Sequence, residues 1–290
     1  MKHDRFIAWC LATPWALMPE RMTAYATVLA MKAKGETPEP QAAAPRGKGN
    51  SRAGAIAVIP VYGTIVQRAS QLDMCEGGTS TQQISAMLHD AMEDPSVAQI
   101  LLDIDSPGGS VYGVQELAAE IQASTKPVVA VANSLAASAA YWIGAAASEF
   151  HATPGGEVGS IGVWMAHQDY SKAMKKSGVK TTLVSAGPFK VEANPYQPLT
   201  EEAQAFLQSR VDDYYQTFVA GVAKGRRVSM DQVRSGMGGG RVLGADQALA
   251  SKMVDSVSTF SQVVARMQSK MKSAAPSRLA RAQRELQIAG

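Results

Sequence analysis

The chain has 290 residues, 46% of them hydrophobic and 18% charged, a composition that can bury a core and excludes a wholly disordered polymer. Its two cysteines, Cys10 and Cys75, are too few for a disulfide framework or a four-cysteine zinc site. The net charge of +3 is unevenly distributed, because residues 53–265 carry 14 basic and 20 acidic side chains. The basic excess lies in residues 32–52 and 266–290, and the acidic central region gives no sign of a nucleic-acid groove.

Four segments are expected along the chain. Residues 1–33 are predicted to form a small helical N-terminal element, although an uncharged stretch of 14 residues within it also fits a signal peptide. That stretch is too short for a membrane-spanning helix and Pro14 interrupts it, so we expect no membrane anchor. Residues 34–53, with three prolines and three glycines, are predicted to be a flexible linker. A compact domain is expected over 54–260, and a basic tail, helical or disordered, over 261–290.

Within the compact domain, short β-rich runs alternate with segments of helical spacing. Strands are predicted over residues 56–61, 97–105, 127–132, 158–166 and 181–185. Helices are predicted over residues 81–93, 111–124, 138–147, 170–177 and 200–224, with Thr200 as the N-cap of the last. This alternation predicts an α/β fold with a largely parallel, buried sheet.

Three segments carry candidate chemistry, and each alone also has a purely structural explanation. Asp105–Gly109 follows a predicted strand, and its Pro-Gly-Gly turn exposes backbone N–H groups, although most such turns are only turns. Asn133–Ala140 opens a helix of small residues, where a serine is either a nucleophile at the positive end of the helix dipole or an N-cap. Ser185–Lys190 ends in a lysine that is either a solvated charge or, once desolvated into its neutral form, a general base.

The order and spacing of these segments resemble the serine peptidase family of signal peptide peptidase A, within the ClpP/crotonase superfamily. The family's nucleophile motif appears as Ala136–Ala139, and its lysine motif as Gly187–Lys190. The spacing of 52 residues between Ser138 and Lys190 matches the short bacterial members of the family.

Further matches point to one branch of that family. A family strand motif, Gly-Ser-Ile-Gly-Val, appears as Gly159–Val163, and the residues after it look most like the phage head maturation proteases. Residues 17–29 also resemble a leader of the phage members, which argues against a cleaved signal peptide. The resemblance covers roughly residues 54–259 and implies a ClpP/crotonase-like fold of repeated β-β-α units.

The resemblance also implies a Ser-Lys dyad. Ser138 would be the nucleophile, Lys190 the general base, and Ser160 the residue that orients the lysine. The Gly109 and Ala139 N–H groups would form the oxyanion hole. A substrate strand would pair with two backbone segments, namely Gly108, Gly109, Ser110 and Val111, and Ile161, Gly162 and Val163.

A Ser-His-Asp triad is the alternative to this dyad. ClpP-type enzymes carry their histidine 25 residues after the serine, a position that Val163 occupies here. His151 and His167 flank that position, and we expect His167 to be structural or near the site rather than a base. No histidine pair has metal-ligand spacing, so we expect neither a metal nor another cofactor.

As a function, the resemblance implies a serine endopeptidase of phage capsid assembly that cleaves scaffold, portal or coat proteins and itself. It would act as a homo-oligomer in the host cytoplasm and the interior of the procapsid, without nucleic acid in its core. The small residues around Ser138 favour a shallow pocket for side chains such as alanine. Two alternatives stay open: a host enzyme that degrades membrane-derived peptides, and a non-catalytic head assembly factor.

Overall fold

The computed structural model describes residues 13–22, 51–53, 55–70 and 78–271. Both cysteines, His3, and most of the predicted N-terminal helix and linker lie outside these residues. No helix among the described residues is both long enough and apolar enough to cross a membrane.

The described residues form twelve strands and eight helices. The strands are β1 Trp15–Leu17, β2 Ser51–Ala53, β3 Ile56–Tyr62, β4 Ile65–Val66, β5 Thr79–Ser80, β6 Gln99–Ser106, β7 Gly108–Ser110, β8 Val128–Ala137, β9 Glu149–Ala152, β10 Glu157–Gly159, β11 Val242–Gly244 and β12 Ser256–Val257. The helices are α1 Thr81–Glu93, α2 Val114–Gln122, α3 Ala139–Ala145, α4 Ser171–Lys176, α5 Glu201–Arg226, α6 Met230–Gly236, α7 Ala245–Ala250 and α8 over residues 260–271. Residues 19–22 add a short helical turn, and Gly238–Gly240 form a 3₁₀ turn.

The larger sheet has the strand order β11-β10-β8-β6-β3-β2, with β9 pairing β8 and β12 pairing β9. Its central pairs, β3 with β6 and β6 with β8, are parallel, whereas the edge strands β2 and β11 pair antiparallel. Helices α1 and α2 lie in the crossovers of the parallel strands, as parallel pairing requires. The predicted α/β fold with a largely parallel sheet is confirmed.

Both faces of the central strands are buried, which explains their continuous apolar sequences. Successive residues point to opposite faces, so Ile59 and Leu102 join the core under the helices of one side. Leu101 points to the other face and packs with Val263 and Met267 of α8.

The first part of the predicted C-terminal tail is helical. Residues 261–271, expected to begin a basic tail, form most of α8 and bury Val263 and Met267 against the sheet. These side chains are four residues apart and share one helix face, so a short apolar stripe is enough to dock the helix. Residues 272–290 lie outside the described part of the chain.

A smaller sheet has the strand order β1-β7-β4-β5. The N-terminal segment contributes its edge strand, Trp15–Leu17, which pairs antiparallel with β7 and was not predicted from the sequence. The helical turn at residues 19–22 follows it, within the segment predicted to be helical.

Two predicted strands are shorter or absent. Of residues 158–166, only the beginning belongs to a strand, β10, and residues 181–185 form none. The segment 177–200 is largely exposed and lies outside both sheets, so its β-branched residues have no neighbouring strand to pair with.

Candidate active site

Ser138 lies at the junction between β8 and α3. Its φ of 57° and ψ of −119° place a non-glycine residue in a backbone region that costs free energy. Its side chain is 1% exposed, and every residue of α3 is buried, so the small residues of the segment allow this helix to pack on all sides. The Ser138 amide donates a hydrogen bond to the Gly159 carbonyl oxygen at 2.6 Å, which ties the junction to the end of β10.

The Pro-Gly-Gly turn lies directly beside Ser138. An ideal Cβ built on Gly108 would lie 2.9 Å from Ser138 Cβ, and one on Gly109 only 1.8 Å from the Ile65 carbonyl oxygen. Gly108 also has a φ of 96°, so both positions require glycine. The structure therefore brings the first two predicted segments together, with β7 against the residue that opens α3.

A residue that sequence reasoning missed holds this turn. The buried Ser106 hydroxyl donates to the Gly63 carbonyl oxygen at 2.6 Å and accepts from the Gly108 amide at 3.2 Å. Ser106 belongs to the segment Asp105–Gly109, but no sequence pattern indicated this role because its partner Gly63 is 43 residues away.

Ala139 is the first residue of α3, and the Trp142 amide donates to the Ser138 carbonyl oxygen at 3.0 Å as the helix begins. The amide of Ala139 therefore belongs to the first turn, where N–H groups lack carbonyl partners within the helix. Ala139 and Gly109 thus flank Ser138 from two different elements, α3 and β7.

Ser160 lies beside Ser138. Ala137 pairs with Gly159 in the parallel ladder of β8 and β10, so the two serines that follow leave the sheet next to each other. Ser160 also has a positive φ of 54°, and its amide donates to the Arg241 carbonyl oxygen at 2.8 Å.

Lys190 lies in the exposed segment 177–200. Its amide donates to the Gly187 carbonyl oxygen at 3.3 Å, which closes the Gly-Pro turn before it, and its side chain is exposed. Among the described residues, no hydrogen bond joins the Lys190 amine to Ser138 or Ser160. The structure therefore brings Ser138, Ser160 and the glycine turn together, and leaves Lys190 outside this cluster.

One of the two segments expected to pair with a substrate strand already has a partner, and so does the residue that follows the other. Strand β1 pairs with Gly108–Ser110, and Trp15 also forms an antiparallel bridge with Trp164, directly after the second segment. In that second segment Ile161 is buried, Val163 is half-buried, and Gly162 has open space around it.

Charged groups near the ends of the central strands form a small network. Burial raises the pKa of Asp103, although hydrogen bonds from the Tyr62 hydroxyl and the Asn133 amide (3.1 Å) favour its ionised form. The same burial, with the adjacent Asp103, raises the pKa of the Tyr62 hydroxyl. Asn133 lies in β8, four residues before the last residue of the strand, Ala137. The network therefore anchors β8 shortly before Ser138.

His151 and His167, the two histidines that flank the ClpP-type position, each have a polar neighbour other than Ser138. His151 pairs with Val131 in the ladder of β8 and β9, well before the end of β8, and its Nδ1 lies 2.9 Å from Ser256 Oγ. His167 Nε2 lies 3.3 Å from the Asn194 carbonyl oxygen. No cluster of three or more potential metal ligands occurs in the part of the chain that the structure describes.

Two models of known protein families match the chain. A family model described as Clp protease matches residues 65–169, and one described as peptidase family S49 matches residues 120–274. The first match covers the glycine turn and Ser138, and the second covers Ser138, Ser160 and Lys190.

Similar proteins include two phage proteins and a bacterial protease. Capsid assembly protease C of Escherichia phage lambda is 43% identical over 170 residues, which are 58% of this chain and 39% of that protein. Head-tail preconnector protein GP5 of Enterobacteria phage P21 is 38% identical over 180 residues, 61% of this chain and 36% of that protein. Protease 4 of Haemophilus influenzae is 32% identical over 212 residues, 72% of this chain and 34% of that protein.

The chain thus spans well under half the length of these relatives. The expected resemblance to signal peptide peptidases, ClpP and phage capsid proteases is confirmed, as is the ClpP-like fold. Since the matching model covers more than half of its residues, the chain belongs to peptidase family S49.

Proposed function

We propose that this chain is a serine endopeptidase that uses a Ser138–Lys190 dyad in phage capsid assembly. The observation that carries the proposal is the backbone of Ser138, a non-glycine residue held at positive φ beside a turn that requires two glycines. Strain of this kind persists only where the surrounding structure enforces it, and it is concentrated at catalytic residues.

The reaction would be acyl transfer to Ser138 followed by hydrolysis. Neutral Lys190 takes the hydroxyl proton while Ser138 Oγ attacks the peptide carbonyl carbon, and the amide groups of Gly109 and Ala139 stabilise the oxyanion. Lys190 then gives the proton to the departing amine, and a water molecule cleaves the acyl-serine ester. Ser160, which follows β10 beside Ser138, would accept a hydrogen bond from the lysine and orient it.

An oligomer would complete the dyad. Lys190 lies on a segment whose apolar side chains face solvent, with Val179 52% exposed, Val184 94% and Phe189 59%. Several exposed apolar side chains on one segment favour a protein–protein contact there. A second copy covering the segment would also remove water from Lys190, and a lysine acts as a base only in its neutral form.

The role in capsid assembly follows from the relatives. The phage lambda relative is a capsid assembly protease and the phage P21 relative a head-tail preconnector protein, and both are more similar to this chain than Protease 4 is. We therefore assign scaffold, portal and coat proteins as substrates and the procapsid interior as the place of action. A non-catalytic assembly factor would have no need of the strained serine.

Digestion of unfolded casein by the purified full chain tests the peptidase activity. Ser138→Ala and Lys190→Ala should each lower the rate by about 10³-fold or more, because neither half of a dyad works alone. Lys190→Arg should be equally inactive, since a guanidinium does not lose its proton at working pH. Lys180→Ala, which removes another exposed lysine of the same segment, is the control and should be active. Activity in both the Ser138→Ala and Lys190→Ala variants would refute the dyad.

A further inference from the structure

The N-terminal strand β1 lies between the two backbone segments that flank the candidate active site. On one side, Trp15–Leu17 pairs antiparallel with Gly108–Ser110. On the other side, the Trp15 amide donates to the Trp164 carbonyl oxygen at 2.9 Å, and the Trp164 amide returns a bond to the Trp15 carbonyl oxygen at 3.0 Å. Residues of the chain itself therefore occupy the groove in which an extended peptide would bind by strand addition.

The register of this strand places the carbonyl group of Ala16 at Gly109. The Met18 amide donates to the Pro107 carbonyl oxygen at 3.1 Å, and the Val111 amide donates to the Pro14 carbonyl oxygen at 3.2 Å. Hydrogen-bonded pairs alternate along an antiparallel ladder, so the pair between these two, Ala16 with Gly109, is also hydrogen-bonded. The Ala16 carbonyl oxygen thus faces the Gly109 amide, one of the two proposed oxyanion donors.

Gly108 shows how close this carbonyl group is to the nucleophile. An ideal Cβ on Gly108 would lie 2.2 Å from the Ala16 carbonyl oxygen and 2.9 Å from Ser138 Cβ. The Ala16 carbonyl group and Ser138 therefore both lie close to Gly108, which has no side chain to separate them.

The segment is bound as tightly as a core strand. Trp15, Ala16 and Leu17 are 1%, 0% and 2% exposed, and Trp164 Nε1 donates to the Leu17 carbonyl oxygen at 2.8 Å. Ala16 is a small residue at the position next to Ser138, which suits the shallow pocket expected there from the small residues of the Ser138 segment. Its pairing with β7, its proximity to Ser138 and its small side chain at Ala16 fit an extended peptide bound at the candidate active site.

We propose that the Ala16–Leu17 peptide bond is cleaved by Ser138 of the same chain, so that the enzyme processes its own N-terminal segment and thereby opens its groove. This proposal rests on the proposed peptidase function. Ser138 Oγ bonds to the Ala16 carbonyl carbon, and Lys190 takes the hydroxyl proton and passes it to the Leu17 nitrogen as the C–N bond breaks. Water then hydrolyses the ester, which releases a peptide ending in Ala16 and leaves a chain that begins at Leu17.

The test is the intact mass and the N-terminal sequence of the purified full chain after incubation. The wild type should lose residues 1–16 and acquire Leu17 as its N-terminus, whereas Ser138→Ala should keep the bond. Ala16→Arg should also keep the bond, because an unpaired guanidinium does not fit a position that is 0% exposed. Ala16→Gly, which fits the same space, should be cleaved like the wild type.

Controls separate this proposal from the proposed function. Ala123→Arg makes the same substitution at an exposed alanine and should be processed normally. A wild-type chain that digests casein but retains an intact Ala16–Leu17 bond overturns the self-cleavage and leaves the peptidase function standing. If the wild type cuts neither casein nor its own chain, the peptidase function itself fails. Cleavage between Ala16 and Leu17 in the Ser138→Ala chain would assign the cut to another protease and overturn the proposal.

Discussion

Ser138 and Lys190 lie in regions with opposite environments. Ser138 is buried between two sheets, held by the Gly159 carbonyl oxygen and by close packing against Gly108. Lys190 is exposed on the segment 177–200, which adds no strand to either sheet. Packing within the single chain fixes the geometry around Ser138. The segment around Lys190 is not packed into either sheet.

This difference separates two requirements of a Ser-Lys dyad. The nucleophile of the proposed dyad must be oriented, and the packing of α3 and β7 fixes Ser138 within one chain. A lysine base must be desolvated, and an exposed segment cannot achieve that without a covering partner. Folding of one chain therefore positions Ser138. We infer that association with a second copy completes the site around Lys190.

The packed region should be the more sensitive to added volume. Gly109→Ala places a Cβ 1.8 Å from the Ile65 carbonyl oxygen, so backbone must shift. We expect a loss of about 3 kcal/mol in the free energy of unfolding, measured by urea denaturation, together with loss of peptidase activity. Gly244→Ala is the control, since that glycine has a φ of −65° and nothing within 4 Å of an added Cβ. Equal stability of the two variants would mean that the turn is not tightly packed.

The exposed region should be sensitive to charge rather than to volume. Val184→Asp leaves the folded chain intact, because this side chain is 94% exposed. A carboxylate buried in an apolar interface should weaken self-association by about 10²-fold, and peptidase activity should fall in parallel. Light scattering and casein digestion over a dilution series measure both quantities. Full activity in a monomeric variant would show that one chain completes the site alone.

Strain at Ser138 can be measured separately from catalysis. Ser138→Gly should raise the free energy of unfolding by about 1 to 2 kcal/mol, because glycine adopts a φ of 57° and ψ of −119° without a Cβ clash. Ser138→Ala is the matched control, since it also removes the hydroxyl but retains the Cβ. Both variants should be inactive, and only the glycine variant should be more stable. A glycine variant no more stable than the alanine variant would argue against stored strain.

The smallest expected effect is a pH dependence of the free energy of unfolding, which arises from the burial of His151. Burial lowers the pKa of His151 below its ordinary 6.5; nearby Arg266 and Lys270 also lower it, and Glu149 and Asp255 oppose them. The unfolded chain therefore binds a proton that the folded chain does not, and stability falls as the pH drops below 6.5. We expect a slope of up to about 1.4 kcal/mol per pH unit in thermal or urea unfolding.

His151→Asn keeps a polar atom near Ser256 but cannot titrate, and should flatten this slope. His89→Asn removes a more exposed histidine and should leave the slope unchanged. An unchanged slope in His151→Asn would assign the pH dependence to other groups.

The sequence by itself determined the order of the elements and the family. The helix 81–93 was predicted with the bounds that α1 has, and the apolar runs at 56–61 and 127–132 lie in β3 and β8. These predictions succeed because periodicity and capping are local properties of the chain. The nucleophile motif and the glycine turn were recognised for the same reason, since each is a short contiguous pattern.

Only the tertiary structure decided which segments meet. Trp15–Leu17 has no strand pattern of its own and becomes a strand because β7 offers it an unpaired edge. The β-branched residues of 181–185 find no such edge and stay outside the sheet. Val263 and Met267 turn the start of an apparent tail into a packed helix, since the second face of the sheet would otherwise be open to water. Partners of this kind are distant in sequence, so local sequence patterns cannot reveal them. Local patterns determine the helices and strands, whereas long-range pairing and burial decide that β1 lies beside β7.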